Sequence, residues 1–191
     1  MRSLVHQNVS KLHIPTRGGY WSDKPGNSQW FPDDDAVYHV GRSHYLSGKA
    51  LKQQYGFSSI TYHAADPDFT PFADAVIGPV RLPSIPARRG CTNGGSYDLA
   101  VQSVVASGAM PNAAAVRSYM KQHHLVWHEC GDGHTMLAIP EAINQAFVHT
   151  GGIGLQKGMQ KLGYRVCSHG HLALQRKGIA SNAVAVRKRR P

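Results

Sequence analysis

Four side chains in the stretch HHLVWHECGDGHTMLAIPEAINQAFVHTGG, which spans 123–152, are of types that hold a divalent cation and move protons: His128, Glu129, Asn144 and His149. Metal-assisted hydrolysis of a phosphodiester needs a few hard or borderline ligands facing an open coordination position, and a base that aligns the attacking water. Taken singly, none of the four carries that conclusion, because a single histidine on a strand is more often a hydrogen-bonded structural residue than a ligand. Their weight comes from their order within one short segment of a strongly basic chain.

That segment must position them. LVWHE suits a strand, GDG a turn, HTMLAIP a returning strand, and PEAINQAF the start of a helix with Pro140 near its first position. Strand, turn, strand, helix is a ββα unit, in which His128 and Glu129 leave the first strand while Asn144 and His149 come from the helix that folds beneath it. Asn144 and His149 are five residues apart, so they do not superpose on an ideal helix face as residues four apart would. Either the helix ends before His149 or one of the two is not a direct ligand.

The 191 residues carry 21 Lys and Arg against 11 Asp and Glu, a formal charge of +10, with 12 histidines outside that count. Such an excess favours a polyanionic partner, nucleic acid being the commonest, although an acidic inhibitor protein or an anionic membrane would answer the same charge. No apolar run is long enough to span a bilayer, and Met1–Ser10 lacks the apolar run of a secretory signal, so no membrane insertion and no export signal are expected. Cys91, Cys130 and Cys167 lack the close pairing of a zinc knuckle or a disulfide framework and read as reduced thiols. Cys130 lies two residues from His128, and as a ligand it would move the preference toward zinc.

Upstream, the chain reads as an irregular wrap over 1–35 and a small β-rich lead-in over 36–95. Within the lead-in a short helix is expected through Gly48–Tyr55, then an alternating strand in FSSITYHA and an extended PDFTPFADAVIGPVRLP broken by its prolines. The main α+β core is expected over 96–165, opening with helices in YDLAVQSVVASGAM and PNAAAVRSYMKQHH, with a further short helix over 153–164. Residues 166–191, ending RKRRP, read as a solvated basic tail that adds affinity for phosphates without choosing a sequence. His123, His124 and His134 are expected at the hydrated surface.

WHECGDGHTMLAIPEAINQAFVHTGG resembles the signature of the HNH/endonuclease VII toxin families of bacterial polymorphic toxin systems, the WHH group, in which a Trp-His-His or Trp-His-Glu strand, a T-M-x-x-[VI]-P strand and a terminal H-[TS]-G-G recur. GGYWSDKPGNSQW and PDFTPFADAVI resemble the segment that precedes the core in such toxins. The resemblance implies a His-Me finger (ββα-metal) fold, with His128 and His149 at the metal and Trp127 packed beneath it. Glu129 occupies the position of the water-activating histidine, so it acts as general base, or binds metal while His128 is the base. Asn144 stands where the relatives show a histidine; an amide oxygen favours magnesium or manganese over zinc or nickel, unless it marks a weakened site. Arg88 and Arg89 lie upstream of the core where such toxins also carry an arginine, so one of them is expected to clamp the scissile phosphate, a solvated pair being the alternative.

The resemblance thus implies a metal-dependent endonuclease toxin that cuts DNA, carried by a larger secreted protein into the cytoplasm of a target bacterium and blocked in the producer by an acidic immunity protein. An RNase on the same fold and a catalytically silent nucleic-acid-binding protein are the alternatives, separated by metal-dependent cleavage and by comparing duplex DNA with transfer RNA.

Overall fold

The computed structural model describes residues 13–86, 90, 94–149, 151–152 and 154, together with the strands 164–166 and 172–174. Its architecture is α+β. In chain order the elements are β1 (Gly19–Trp21), β2 (Gln29–Pro32), β3 (Val37–Gly41), β4 (His44–Ser47), α1 (Gly48–Tyr55), β5 (Ile60–His63) and β6 (Asp66–Pro67). After a single 3-10 turn (Thr70–Phe72) come β7 (Pro79–Arg81), α2 (Ser96–Ala106), α3 (Ala113–Gln122), β8 (Leu125–Glu129), β9 (Thr135–Pro140), α4 (Glu141–Ala146), β10 (Tyr164–Val166) and β11 (Leu172–Leu174).

The expected strand, turn, strand and helix are present as β8, β9 and α4. β8 and β9 pair antiparallel from Leu125 opposite Pro140 to Glu129 opposite Met136, and β7 adds to the far edge of β9, giving the order β7-β9-β8. The connecting turn is closed by Asp132, whose Oδ1 accepts from the backbone N–H of His134 and Thr135 at 2.8 and 2.7 Å and whose Oδ2 accepts from Thr135 Oγ1 at 2.6 Å. Burial alone would raise the Asp132 carboxyl, but the bonds from Thr135 and His134 and the charge of Arg81 outweigh it and hold the group below its usual range. α1 begins and ends where the sequence places it, capped by Ser47 Oγ accepting from Ala50 N–H and by left-handed Gly56.

Two apolar cores lie on opposite faces of the β7-β9-β8 sheet. β9 sorts its residues between them by simple alternation: Met136 and Ala138 join Val80, Val101, Val104 and Val116 against α2 and α3, while Leu137 and Ile139 join Trp30, Tyr62, Phe69 and Ile143 against α4 and the lead-in strands. The second core is why the upstream segment matters. β2 and β5 carry Trp30 and Ile60 into it within the four-stranded sheet β1-β2-β5-β6.

Three sequence expectations need amending. The segment before Asp35, read as irregular, holds β1 and β2, paired from Gly19 opposite Pro32 to Trp21 opposite Trp30. His134, expected at the surface, is 5% exposed with Nδ1 3.2 Å from the Leu82 carbonyl oxygen, because β7 and the loop after it cover the turn; His123 and His124 are exposed as expected. The helix expected over 153–164 falls mostly outside the described residues, and 164–166 pairs as a strand with 172–174, which carries paired structure into the segment expected to be a tail from 166. Among the described residues no helix is long and apolar enough to cross a membrane.

Candidate functional site

Strand alternation sends neighbouring residues of β8 to opposite faces. His128 lies opposite Leu137 and so faces the second core, whereas Trp127 and Glu129 lie opposite Ala138 and Met136 and face the first. His128 and Glu129 are each 2% exposed, yet the sheet itself stands between their side chains. Trp127 packs into the first core, on the face of β8 opposite His128.

On its face, His128 meets two rings. Its centroid is 4.9 Å from that of Phe69 and 4.9 Å from that of His149, and Phe69 and His149 close the triangle at 5.6 Å, all three pairs edge to face. His149 reaches this position because α4 stops at Ala146, which releases the chain from helical spacing before His149. The Tyr62 hydroxyl then donates to the Val148 carbonyl at 3.2 Å and pins the returning segment to β5. His149 Nδ1 lies 2.7 Å from the Phe147 carbonyl oxygen. A carbonyl oxygen only accepts, so in the neutral ring Nδ1 carries the proton and Nε2 is the basic nitrogen, the tautomer of a histidine that ligates metal through Nε2.

The glycines of the H-T-G-G motif have a physical reason. Gly151 adopts φ of 64°, and a Cβ on Gly152 would lie 2.6 Å from the Cys130 carbonyl oxygen and 2.9 Å from that of Glu129. The chain after His149 therefore rests directly on the backbone at the end of β8. Gly152→Ala is expected to cost about 1–3 kcal/mol, as forced overpacking does, read as a lower urea midpoint with unchanged slope.

Sequence reasoning missed Asp66. It sits in β6, with Oδ2 accepting from the Gly131 backbone N–H at 2.7 Å and Oδ1 3.9 Å from His128 Nε2. Burial, with Asp132 and Asp68 nearby, pushes its carboxyl up to about 6 against the opposing pull of the Gly131 N–H and His63. Asp66 lines an open cleft of about 260 Å³ together with His63, Asp68, Phe69, Cys130 and Asp132. Burial also pushes the Cys130 thiol up to about 12.

Glu129 is engaged elsewhere. Its Oε1 accepts from Ser96 Oγ at 2.9 Å, and Ser96, fully buried, is the first residue of α2. Asn144 lies on α4, and its Oδ1 is buried without a hydrogen-bond partner. Arg88 and Arg89 lie outside the described residues.

The imidazoles of His128 and His149 meet on one face of β8 with the Asp66 carboxylate beside His128, donors of types that bind a divalent cation. Among the described residues no three His, Cys, Asp or Glu side chains are grouped closely enough to hold a metal ion as they stand. No protein-family model, curated protein or solved structure matches the chain.

Proposed function

We propose that the chain is a metal-dependent HNH-type endonuclease, with β8, β9 and α4 as its His-Me finger core and DNA as its substrate. The observation that carries this reading is the contact of the His128 and His149 rings, 4.9 Å apart, beside a cleft of about 260 Å³. The charge of +10 supports a polyanionic substrate and equally an acidic inhibitor in the producing cell.

In this proposal His149 and His128 hold the cation, with Asn144 as the amide ligand the resemblance implies. A divalent cation held by these residues would supply the positive charge that polarises the scissile phosphate and stabilises the leaving 3′ oxygen. With Glu129 bound to Ser96 on the other face, the base that takes the proton of the attacking water comes from the open side, where His63 is the exposed imidazole.

Incubating the purified chain with supercoiled plasmid and with total RNA, in magnesium, manganese, zinc, nickel or chelator, tests the reading. Plasmid nicking that needs a divalent ion is the expected result. Cleavage of RNA alone would reassign the substrate, and cleavage of neither polymer with any ion would leave a silent binding protein and overturn the proposal.

A further inference from the structure

We infer that Asp66, from the lead-in strand β6, is a ligand of the same divalent cation, so that the metal centre is closed between two sheets and not within the ββα unit alone. The inference rests on the nuclease reading above and adds to it a ligand that the motif does not contain.

Asp66 Oδ1 and His128 Nε2 are 3.9 Å apart. That is too long for a direct hydrogen bond, which falls near 2.7–3.2 Å. Two donors each about 2.0–2.2 Å from one cation, however, lie roughly 3.0–4.2 Å apart as the angle between them opens from a right angle to a straight line. The spacing suits a shared cation.

The two oxygens of Asp66 are also unequal. Oδ2 is anchored by the Gly131 N–H at 2.7 Å, whereas Oδ1 is buried with no hydrogen-bond partner. Anchoring one carboxylate oxygen while presenting the other is how outer hydrogen bonds aim a metal ligand. The anchor belongs to the turn that directly follows β8, so the bond that fixes Asp66 also fixes it relative to His128. β6 pairs with β5 through Tyr62 opposite Pro67, and Tyr62 is the residue whose hydroxyl holds Val148 beside His149. One short stretch of the lead-in therefore sets the carboxylate and supports a histidine of the centre. A buried carboxylate beside an imidazole also fits a bridging water, which would place no demand on metal.

Titration calorimetry of the full chain with Mn²⁺ and with Zn²⁺ decides between these. Asp66→Asn keeps an oxygen to accept from Gly131 N–H and removes the charge. Outer-shell substitutions already weaken metal binding about 10–100-fold, so loss of a ligand should weaken it at least about tenfold while the melting temperature of the metal-free protein holds. In the wild-type chain, substoichiometric Mn²⁺ should broaden the Asp66 carboxyl carbon resonance before those of Asp68 and Asp132, a reading that needs no variant to fold. Wild-type binding that Asp66→Asn matches within twofold, or broadening confined to Asp68 and Asp132, would overturn the role of Asp66 while leaving the nuclease reading intact. A wild-type chain that binds neither ion would overturn both.

Discussion

His128→Ala and His149→Ala should each lower metal-dependent plasmid nicking by about 10²–10⁴-fold, the range expected when a group acting on the reacting centre is removed. The two rings touch each other and share Phe69 as a neighbour, so they form one unit and not two independent contributors. Their effects should not add: the double variant should be barely slower than the worse single one. The two substitutions differ in what else they disturb. His128 is buried on the sheet, and removing its ring leaves a cavity against Phe69, whereas His149 is only half-buried on a segment held by Tyr62. His149→Ala should therefore keep the circular dichroism spectrum and melting temperature of the parent and still lose nicking, which makes it the cleaner reading. Initial nicking rates at saturating Mn²⁺, measured on protein shown to be folded, check both. A His149→Ala protein that retains its rate within about threefold would remove the ring pair from the chemistry.

How much of this was visible in the sequence depends on the range of the signal. The β8-β9 hairpin was legible because LVWHE and HTMLAIP flank a Gly-Asp-Gly turn whose aspartate accepts from the next residues, all local chemistry. α1, α2 and α3 were legible from apolar spacing alone; their caps Ser47 and Asn112, whose side chains accept from N–H groups three residues on, come from the structure, and Asn112 starts α3 at Ala113, two residues after the Pro111 expected in its first turn. β1 and β2 were not, because strands of three and four residues in a segment rich in Gly, Pro and Asp owe their form to pairing with each other and, for β2, with β5. Asp66 was hidden for a related reason. Its partners, Gly131 and His128, lie far along the chain, and nothing in ADPDF marks a carboxylate that a distant turn will bury. The opposite facing of His128 and Glu129, in contrast, was there to be read: adjacent residues of any strand point to opposite sides. A motif treated as a list of residue types conceals that geometry.

The same alternation yields the sharpest test of Glu129. A carboxylate serving as general base should lose about 10²–10⁴ in rate when made an amide. Glu129 accepts from Ser96 Oγ at 2.9 Å at the first turn of α2, on the face of the sheet away from His128, a bond that ties β8 to α2. Glu129→Gln retains an oxygen for the Ser96 hydroxyl and is expected to nick plasmid within about threefold of the parent, with no change in the shape of its pH profile. Glu129→Ala removes the acceptor of a buried hydroxyl and opens space in the core. That combination should cost about 2–4 kcal/mol of stability in urea unfolding, and any loss of rate should follow the loss of folded protein. Ser96→Ala tests the tie from its other end: a cycle of Ser96→Ala, Glu129→Ala and the double variant should return a coupling of about 1–2 kcal/mol. A Glu129→Gln chain that is stably folded yet slower by a hundredfold or more would return the carboxylate to the reaction, because the burial and hydrogen bonding it keeps would then not be what matters.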